Sequence, residues 1–207
     1  MIHEVNKPRL SHRLLGRSFF RRSALVVARD LIGRVLVRES NGMRLSGRIL
    51  ETEAYHGPSD RACHASRGRT ARNEPMFWRG GYAYIYLIYG MHLCFNVVTG
   101  EEGFPSAVLV RALQPLEGQE SMAKNSPRCR WRDLCRGPGR LSRALGLTRE
   151  DDRTDLCRRG LHLEAGAAVN ARLIARGKRI GVDYAGEWAD RLWRLGWRDH
   201  PGLSRPF

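Results

Sequence analysis

The dipeptide Asn41-Gly42 lies between two runs rich in apolar residues, and this arrangement constrains the fold more than any other local feature. Asn-Gly favours a two-residue β-hairpin turn, because both residues readily adopt the positive φ that such a turn needs. We therefore predict two antiparallel strands over residues 35–38 and 45–53. Alternate residues of a strand share a face, so Glu51, Glu53 and Tyr55 are expected on one side of the sheet.

A second hairpin is predicted downstream, where Tyr and Ile alternate over residues 82–88 and Leu93, Phe95 and Val97 alternate in the following run. The turn between them falls near Tyr89-Gly90-Met91. The remaining pattern predicts a helix over 19–30, a strand over 107–113 interrupted by Arg111, an irregular segment over 117–140, a short helix over 140–145, and possible strands at 161–164 and 171–174.

Length and composition favour one domain over residues 18–207, preceded by a flexible basic arm at 1–17. No apolar run approaches the roughly 18 residues of a membrane span, and no signal-peptide pattern is present. The five cysteines are odd in number and form no Cys-x-x-Cys pair, which argues against a disulfide framework. We expect a cytoplasmic protein, associated with the nucleoid if it is bacterial.

The charge balance indicates a polyanionic partner. Lys and Arg number 36 against 21 Asp and Glu, for a net charge of +15 and a pI of about 10.7. All but three of the basic residues are arginines, whose planar guanidinium matches phosphate well. A genomic bias toward arginine codons would explain the Arg/Lys ratio, but it does not explain the excess of bases over acids.

Glu53 and Arg111 are candidates for chemistry. A lone arginine within Ala-Val-Leu-Val-Arg-Ala-Leu is expected to be half-buried and to need an acceptor. A Glu–Arg pair that holds a water molecule is one solution, and a structural salt bridge is another. A third reading places Glu51 and Glu53 in solvent at a strand end. The pattern alone leaves all three open.

The tyrosines divide into two groups. Tyr82 and Tyr84 fit a core or cross-strand ladder. Tyr89 precedes Gly90 at a hairpin turn, where its own hairpin cannot easily bury the ring. An exposed aromatic at a basic hairpin tip suits a wedge into a base stack.

Other catalytic classes lack their signatures. Walker, Gly-x-Gly-x-x-Gly and Gly-x-Ser-x-Gly motifs are absent from the sequence. Cys63, His64, His92 and Cys94 do not have the spacing of a known zinc site, so we expect no metal and no cofactor, and inert buried cysteines are the simpler interpretation.

The chain resembles the alkyladenine (3-methyladenine) DNA glycosylase family over roughly residues 19–204. The last segment, Leu192-Trp193-Arg194-Leu195, is a looser match to the family's closing motif. The other matching segments are Ala28-Arg29-Asp30-Leu31-Ile32-Gly33, Glu51-Thr52-Glu53-Ala54-Tyr55, Asp60 to Ser66, Arg72-Asn73-x-x-Met76-Phe77, Tyr84 to Asn96, Leu109-Val110-Arg111-Ala112-Leu113, Gly137-Pro138 and Arg179-Ile180-Gly181-Val182.

The resemblance implies a role for each matched position. Glu53 would activate water and Arg111 would be its partner. Tyr89 would intercalate into DNA. The base pocket would be formed by Tyr55, His64, Tyr86 and the selectivity residue Asn96.

The implied fold is a single mixed α/β (α+β) domain with a curved, mainly antiparallel sheet and a protruding, DNA-intercalating β-hairpin. The implied activity is monofunctional hydrolysis of the N-glycosidic bond of alkylated purines in double-stranded DNA, by a monomer. The alternatives are a non-catalytic protein that binds damaged or single-stranded nucleic acid and a ribosomal or other RNA-binding basic protein. Both would explain the charge, but neither would explain Glu53 opposite Arg111.

Overall fold

Eight strands form one antiparallel sheet in a computed structural model that describes residues 12–40 and 42–207. The strand order is β3-β4-β5-β2-β1-β6, with β8 also beside β2 and β7 beside β8. The strands are β1 (Val35–Ser40), β2 (Met43–His56), β3 (Ala83–Ile88), β4 (His92–Val98), β5 (Ser106–Glu117), β6 (Leu161–Glu164), β7 (Ile174–Gly177) and β8 (Arg194–Trp197). The predicted mixed α+β architecture with a mainly antiparallel sheet is confirmed.

Both predicted hairpins are present as antiparallel strand pairs. β1 pairs with β2 from Val35↔Arg48 to Ser40↔Met43, and Gly42 has the positive φ, 72°, that the turn requires. Asn41 lies outside the described residues. β3 pairs with β4 from Ala83↔Val97 to Ile88↔His92. Alternation and turn chemistry are local signals, and they placed these strands correctly.

Helices flank the sheet as α1 (Arg17–Phe20), α2 (Ala24–Leu31), α3 (Gln119–Asn125) and α4 (Pro138–Ala144). The single helix predicted over 19–30 is two helices: α1 ends at Phe20, and Ser23 caps the start of α2 by accepting from the N–H of Val26. The predicted helix over 140–145 is α4. Residues 119–125, predicted as irregular, form α3, and residues 171–173, predicted as strand, form a 3-10 turn before β7.

Both faces of the central strands are covered. One face packs its apolar residues against α2 and α4 in the main core, which includes Leu31, Phe95, Val110 and Leu141. The other face packs against segment 62–77 in a smaller cluster around Tyr84. Segment 62–77 contains two 3-10 helices, His64–Arg67 and Glu74–Phe77. This second face positions the candidate site.

The predicted flexible arm covers residues 1–17, of which residues 1–11 lie outside the described part of the chain. Residues 13–15 run beside β6: Leu15 is buried and donates to the carbonyl of Leu163, and Ala165 donates to the carbonyl of Arg13. Within the described residues, no helix combines the length and apolar character needed to cross a membrane.

Candidate active site

Two compensating irregularities in the pairing of β2 and β5 shape the site. Ile49 pairs with Leu113 and Glu51 with Ala112, so Leu50 is an extra residue on β2; Thr52 then pairs with Val110, which leaves Arg111 as an extra residue on β5. A β-bulge of this kind redirects the side chain it carries. Here it directs Arg111 toward the carboxylates of β2.

Arg111 contacts both glutamates. Its Nε lies 3.2 Å from Glu51 Oε1, and its Nη1 lies 3.2 Å from Glu53 Oε1. Burial alone would lower the pKa of Arg111, but the charges of Glu53 and Glu51 reverse this and raise it. Glu51 and Glu53 are both fully buried, because β8 pairs with this part of β2 on the side away from β5. The solvent-exposed interpretation of the two glutamates is therefore wrong.

The carboxylate of Glu53 is held by three groups. Its Oε1 accepts a hydrogen bond from the N–H of Ile180 at 2.8 Å and forms the ion pair with Arg111, and its Oε2 accepts from the Tyr55 hydroxyl at 2.9 Å. Glu53 and Tyr55 therefore share a face, as predicted. These contacts fix the orientation of the carboxylate beside an aromatic pocket.

Glu51 is bound to a different part of the protein. Besides Arg111, it accepts from Arg194 at 3.1 Å and from both the N–H and the hydroxyl of Ser204, at 2.6 and 2.9 Å. The C-terminal segment is thereby tied to β2. Of the partners of Glu51 only Arg111 lines the pocket described next, whereas all three partners of Glu53 line it, so we interpret Glu51 as a structural residue.

A pocket of about 230 Å³ opens on the second face of the sheet. Ligand sites for drug-sized molecules usually span roughly 300–1,000 Å³, so this pocket suits a single small ring system. The sequence-predicted residues that line it are Tyr55, His64, Tyr86, Tyr89, Asn96 and Arg111.

The aromatic wall is held together by ring contacts. His64 and Tyr86 meet edge to face with centroids 4.5 Å apart, and the His64 Nδ1 lies 2.8 Å from the Tyr84 hydroxyl. Although His64 is exposed at the pocket mouth, the protein packed around its ring, and then the charge of Arg72, lower its pKa. Its imidazole is therefore neutral near pH 7 and can pack against a cationic ring.

Tyr55 and Tyr86 keep their protons. Burial, and for Tyr55 the neighbouring charge of Glu53, raise the pKa of both phenols well above the usual value. Protonated phenols can donate hydrogen bonds, and their rings offer uncharged π-faces to a flat ligand. Such faces attract cations, which gives the pocket an affinity for a positively charged ring.

Asn96 is oriented by backbone carbonyls. Its amide nitrogen donates to the carbonyls of Tyr84 and Cys94, at 3.0 and 3.2 Å. Within the described part of the chain the amide oxygen makes no hydrogen bond, so it remains available as an acceptor in the pocket wall.

Tyr89 occupies the turn between β3 and β4 with a φ of 51°, and 83% of its surface is exposed. Met91 beside it is 67% exposed. A positive φ is uncommon outside glycine, and here it holds a large ring outside the core at the edge of the pocket.

Other pocket residues were given no role from the sequence, although Pro138 and Ile180 lie in matched segments. Pro138, Ile180 and Tyr184 line the pocket from segments far along the chain. Asp60, considered above only as part of a matched segment, forms a fully buried ion pair with Arg179 through contacts of 2.6 and 2.8 Å. No periodicity or motif spacing links these residues, and only the fold brings them together.

The cysteines next to the site are inert thiols. Burial raises the pKa of Cys63 to about 12 and that of Cys94 to about 11, so neither is a thiolate near neutral pH. Over residues 12–40 and 42–207, no three His, Cys, Asp or Glu side chains converge in a way that could hold a metal ion.

Comparisons with known proteins identify the family of the chain. The model of the Methylpurine-DNA glycosylase (MPG) family matches residues 18–201. A protein of Myxococcus xanthus is 52% identical over 191 residues, covering 92% of this chain and 93% of its own. Proteins of Methanocella arvoryzae and Desulfitobacterium hafniense are 48% and 45% identical, over 93% and 92% of this chain and 96% and 98% of their own. All three are named as 3-methyladenine DNA glycosylases, enzymes that hydrolyse N-glycosyl bonds. The chain belongs to the methylpurine-DNA glycosylase family.

Proposed function

We propose that the protein hydrolyses the N-glycosidic bond of alkylated purines, such as 3-methyladenine, after extruding the nucleotide from double-stranded DNA. The observation that carries this proposal is the pairing of Glu53 with Arg111 beside a small aromatic pocket. The high net positive charge supports binding to a polyanion.

Binding would begin with the DNA backbone. Exposed arginines contact phosphates and release condensed counterions. Extrusion of one nucleotide leaves a gap and costs a few kcal/mol of stacking and pairing. The exposed ring of Tyr89 at the pocket rim would fill that gap and offset part of the cost.

The extruded base would stack between Tyr55 on one side and His64 and Tyr86 on the other. A cationic alkylated purine gains cation–π attraction from these rings, while the neutral His64 avoids charge repulsion. Asn96 would read the polar edge of the base through its unpaired amide oxygen.

Glu53 would act as the general base. Its Oε2 accepts one hydrogen bond, from Tyr55, and a carboxylate oxygen can accept a second from a water molecule. The water oxygen attacks the sugar C1′ and its proton passes to Glu53. The C1′–N bond breaks and its electron pair stays on the base, which neutralises the cation. The products are the free alkylated base and an abasic site, and the proton then leaves Glu53 for solvent.

We propose a monofunctional enzyme that acts as a monomer. No lysine is found among the described residues that line the pocket, which disfavours a Schiff base and strand cleavage. A single chain supplies every residue of the pocket, so the site is complete without a second copy.

The proposal is tested by incubating the protein with methylated duplex DNA and detecting products by mass spectrometry. We expect free alkylated purine together with an intact abasic strand. A protein that binds this DNA tightly but releases no base would instead be the non-catalytic binding protein. A panel of duplexes carrying 3-methyladenine, 7-methylguanine, hypoxanthine or ethenoadenine would rank the substrates.

A further inference from the structure

A second basic pocket lies outside the candidate active site, on the segment between α3 and α4. Its volume is about 420 Å³. Four exposed arginines line it: Arg128, Arg130, Arg140 and Arg143. Within the described part of the chain none of the four makes an ion pair, in contrast to Arg44 or Arg179, which do. The four guanidinium groups are therefore available to a ligand.

The wall also contains a buried hydroxyl without a partner. Ser126 lines the pocket and is only 5% exposed, and its Oγ makes no hydrogen bond within the described residues. A buried polar group without a partner costs free energy, so a ligand with an acceptor oxygen would satisfy it. Asp133, the acidic residue in the wall, already pairs with Arg136 at 3.0 Å, which offsets its negative charge.

The ligand that fits four arginines and a hydroxyl is a phosphate group. Arginine binds phosphate through two parallel N–H···O bonds, and serine hydroxyls are common secondary donors. The exposed arginines and the width of the pocket leave room for a phosphate that is part of a longer chain.

Helix α4 relates this pocket to the base pocket. Pro138 at its first position lines the base pocket, and Arg140 and Arg143 line the basic pocket. With a rise of about 1.5 Å per residue, Pro138 and Arg143 are separated by only about 7.5 Å along the helix axis. Gly139 lies directly against His92 at the start of β4, since a Cβ added there would come within 3.0 Å of that ring. The hairpin that carries Tyr89 is therefore braced by the same helix.

From these contacts, and on the basis of the proposed function, we propose that the basic pocket binds a backbone phosphate of the DNA within a few nucleotides of the extruded one. A strand advances about 3.4 Å per nucleotide, so the separation of about 7.5 Å along α4 corresponds to about two nucleotides. This contact fixes the duplex relative to the hairpin and carries no sequence information.

The first test compares charge-matched double variants. Arg130→Gln/Arg143→Gln removes two pocket arginines, while Arg149→Gln/Arg172→Gln removes two exposed arginines outside it. Binding to an undamaged duplex is measured from about 50 to 200 mM salt. Because the pocket is proposed to bind one phosphate, we expect the pocket variant to reduce the slope of log K against log salt by about 1, and the control to leave it nearly unchanged. Equal slopes for the two variants would overturn the proposal.

The second test locates the phosphate. Single uncharged methylphosphonate linkages are placed at successive positions around a lesion. One or two positions should weaken binding to the wild type, and the same positions should have no further effect on the pocket variant. Ser126→Ala should weaken binding only to duplexes in which that phosphate is charged. Identical scans for the wild type and the pocket variant would contradict the assignment.

A free phosphate ion is distinguished from the DNA backbone in a third arm. Inorganic phosphate is titrated without DNA and followed by tryptophan fluorescence, and the part of the change that is lost in Trp131→Phe is assigned to Trp131, which is exposed in the same segment. Saturation by free phosphate, together with an unchanged salt slope for DNA, would overturn the backbone assignment. Base release is measured separately from these binding experiments. If the wild type releases base but the pocket variant has an unchanged salt slope, only the phosphate pocket is refuted. If the pocket variant has a lowered salt slope but the wild type releases no base, only the proposed function is refuted.

Discussion

Arg111 meets Glu53 because β5 holds one residue more than β2 at that point, with Arg111 as the extra residue. The contact is 3.2 Å long and the same guanidinium also holds Glu51. In a regular strand the Arg111 side chain would point in a different direction, so the ion pair between Arg111 and Glu53 depends on the bulge.

Arg111→Ala should destabilise the fold by about 3–5 kcal/mol, because it leaves two buried carboxylates without their shared cation. Arg111→Lys keeps the charge but lacks the planar fork that serves both glutamates. Arg111→Lys should therefore be less destabilised than Arg111→Ala and should still release base slowly. Urea unfolding measures the change in stability, and single-turnover kinetics measure the rate of base release. Arg21→Ala, which removes an exposed pair with Glu101, is the control and should leave the free energy of unfolding nearly unchanged. An Arg111→Ala variant as stable as this control would contradict the description of the pair.

The buried pair of Asp60 and Arg179 should matter for both stability and base binding. Arg179 lies 4.9 Å from the Tyr55 ring centroid and precedes Ile180, whose N–H holds Glu53. Asp60→Asn would leave Arg179 buried without its counter-charge and should cost about 3–5 kcal/mol.

The matched control for Asp60→Asn is Asp190→Asn, which breaks an exposed pair with Lys178 of the same 2.6 Å length. It should cost less than about 1 kcal/mol. Equal unfolding midpoints for the two variants would show that burial does not determine how much the Asp60–Arg179 pair contributes to stability.

Stability should fall as the pH drops below about 6.5, in part through His64. Its folded pKa is below the ordinary 6.5, so in this range the unfolded chain binds a proton that the folded chain does not. The contribution of neutral His64 to the free energy of unfolding is fully present above pH 6.5 and is lost progressively as the pH falls. His56 and His200 have lowered pKa values too, so His64→Gln should weaken the dependence without abolishing it. The test measures the thermal unfolding midpoint of the wild type and of His64→Gln between pH 7.5 and 5.5. An equal change of the midpoint with pH in both proteins would contradict the prediction.

Tyr89→Ala should slow excision from duplex DNA more than from a single strand. The ring is exposed at the hairpin turn, so its loss leaves the core intact, while the duplex loses a group that fills the gap left by extrusion. Because a stacking contact contributes about 1–3 kcal/mol, we expect a loss on the order of tenfold in the duplex. Tyr89→Phe keeps the ring and should behave like the wild type. Equal losses in both DNA contexts would make Tyr89 a pocket or folding residue.

The sequence predicted best what depends on near neighbours. Turn chemistry at Asn41-Gly42 and alternation through Phe95 placed both hairpins, and strand parity placed Tyr55 beside Glu53. Helix α3 was missed because it is only seven residues long and buries Met122 alone, which leaves no periodic signal. The functional roles of the predicted site residues remain predictions.

Long-range features could not be read from the sequence. The N–H of Ile180 reaches Glu53 across 127 positions, and Arg179 reaches Asp60 across 119. The two bulges in the β2–β5 pair likewise depend on which strands pair and in what register. These features arise from the topology, which brings segment 178–184, between β7 and β8, to the pocket.

The central claim is that Glu53 activates the attacking water. The most direct measurement is single-turnover release of 3-methyladenine from a defined duplex by the wild type and by Glu53→Gln, with binding to an abasic-site analogue measured in parallel. Gln has nearly the same shape: its single carbonyl oxygen can still accept from the N–H of Ile180, and its NH2 group can donate to the oxygen of the Tyr55 hydroxyl, but it cannot take a proton. We predict retained binding and a rate at least about 10²–10⁴-fold lower. Base release near the wild-type rate by a folded Glu53→Gln protein would contradict the mechanism.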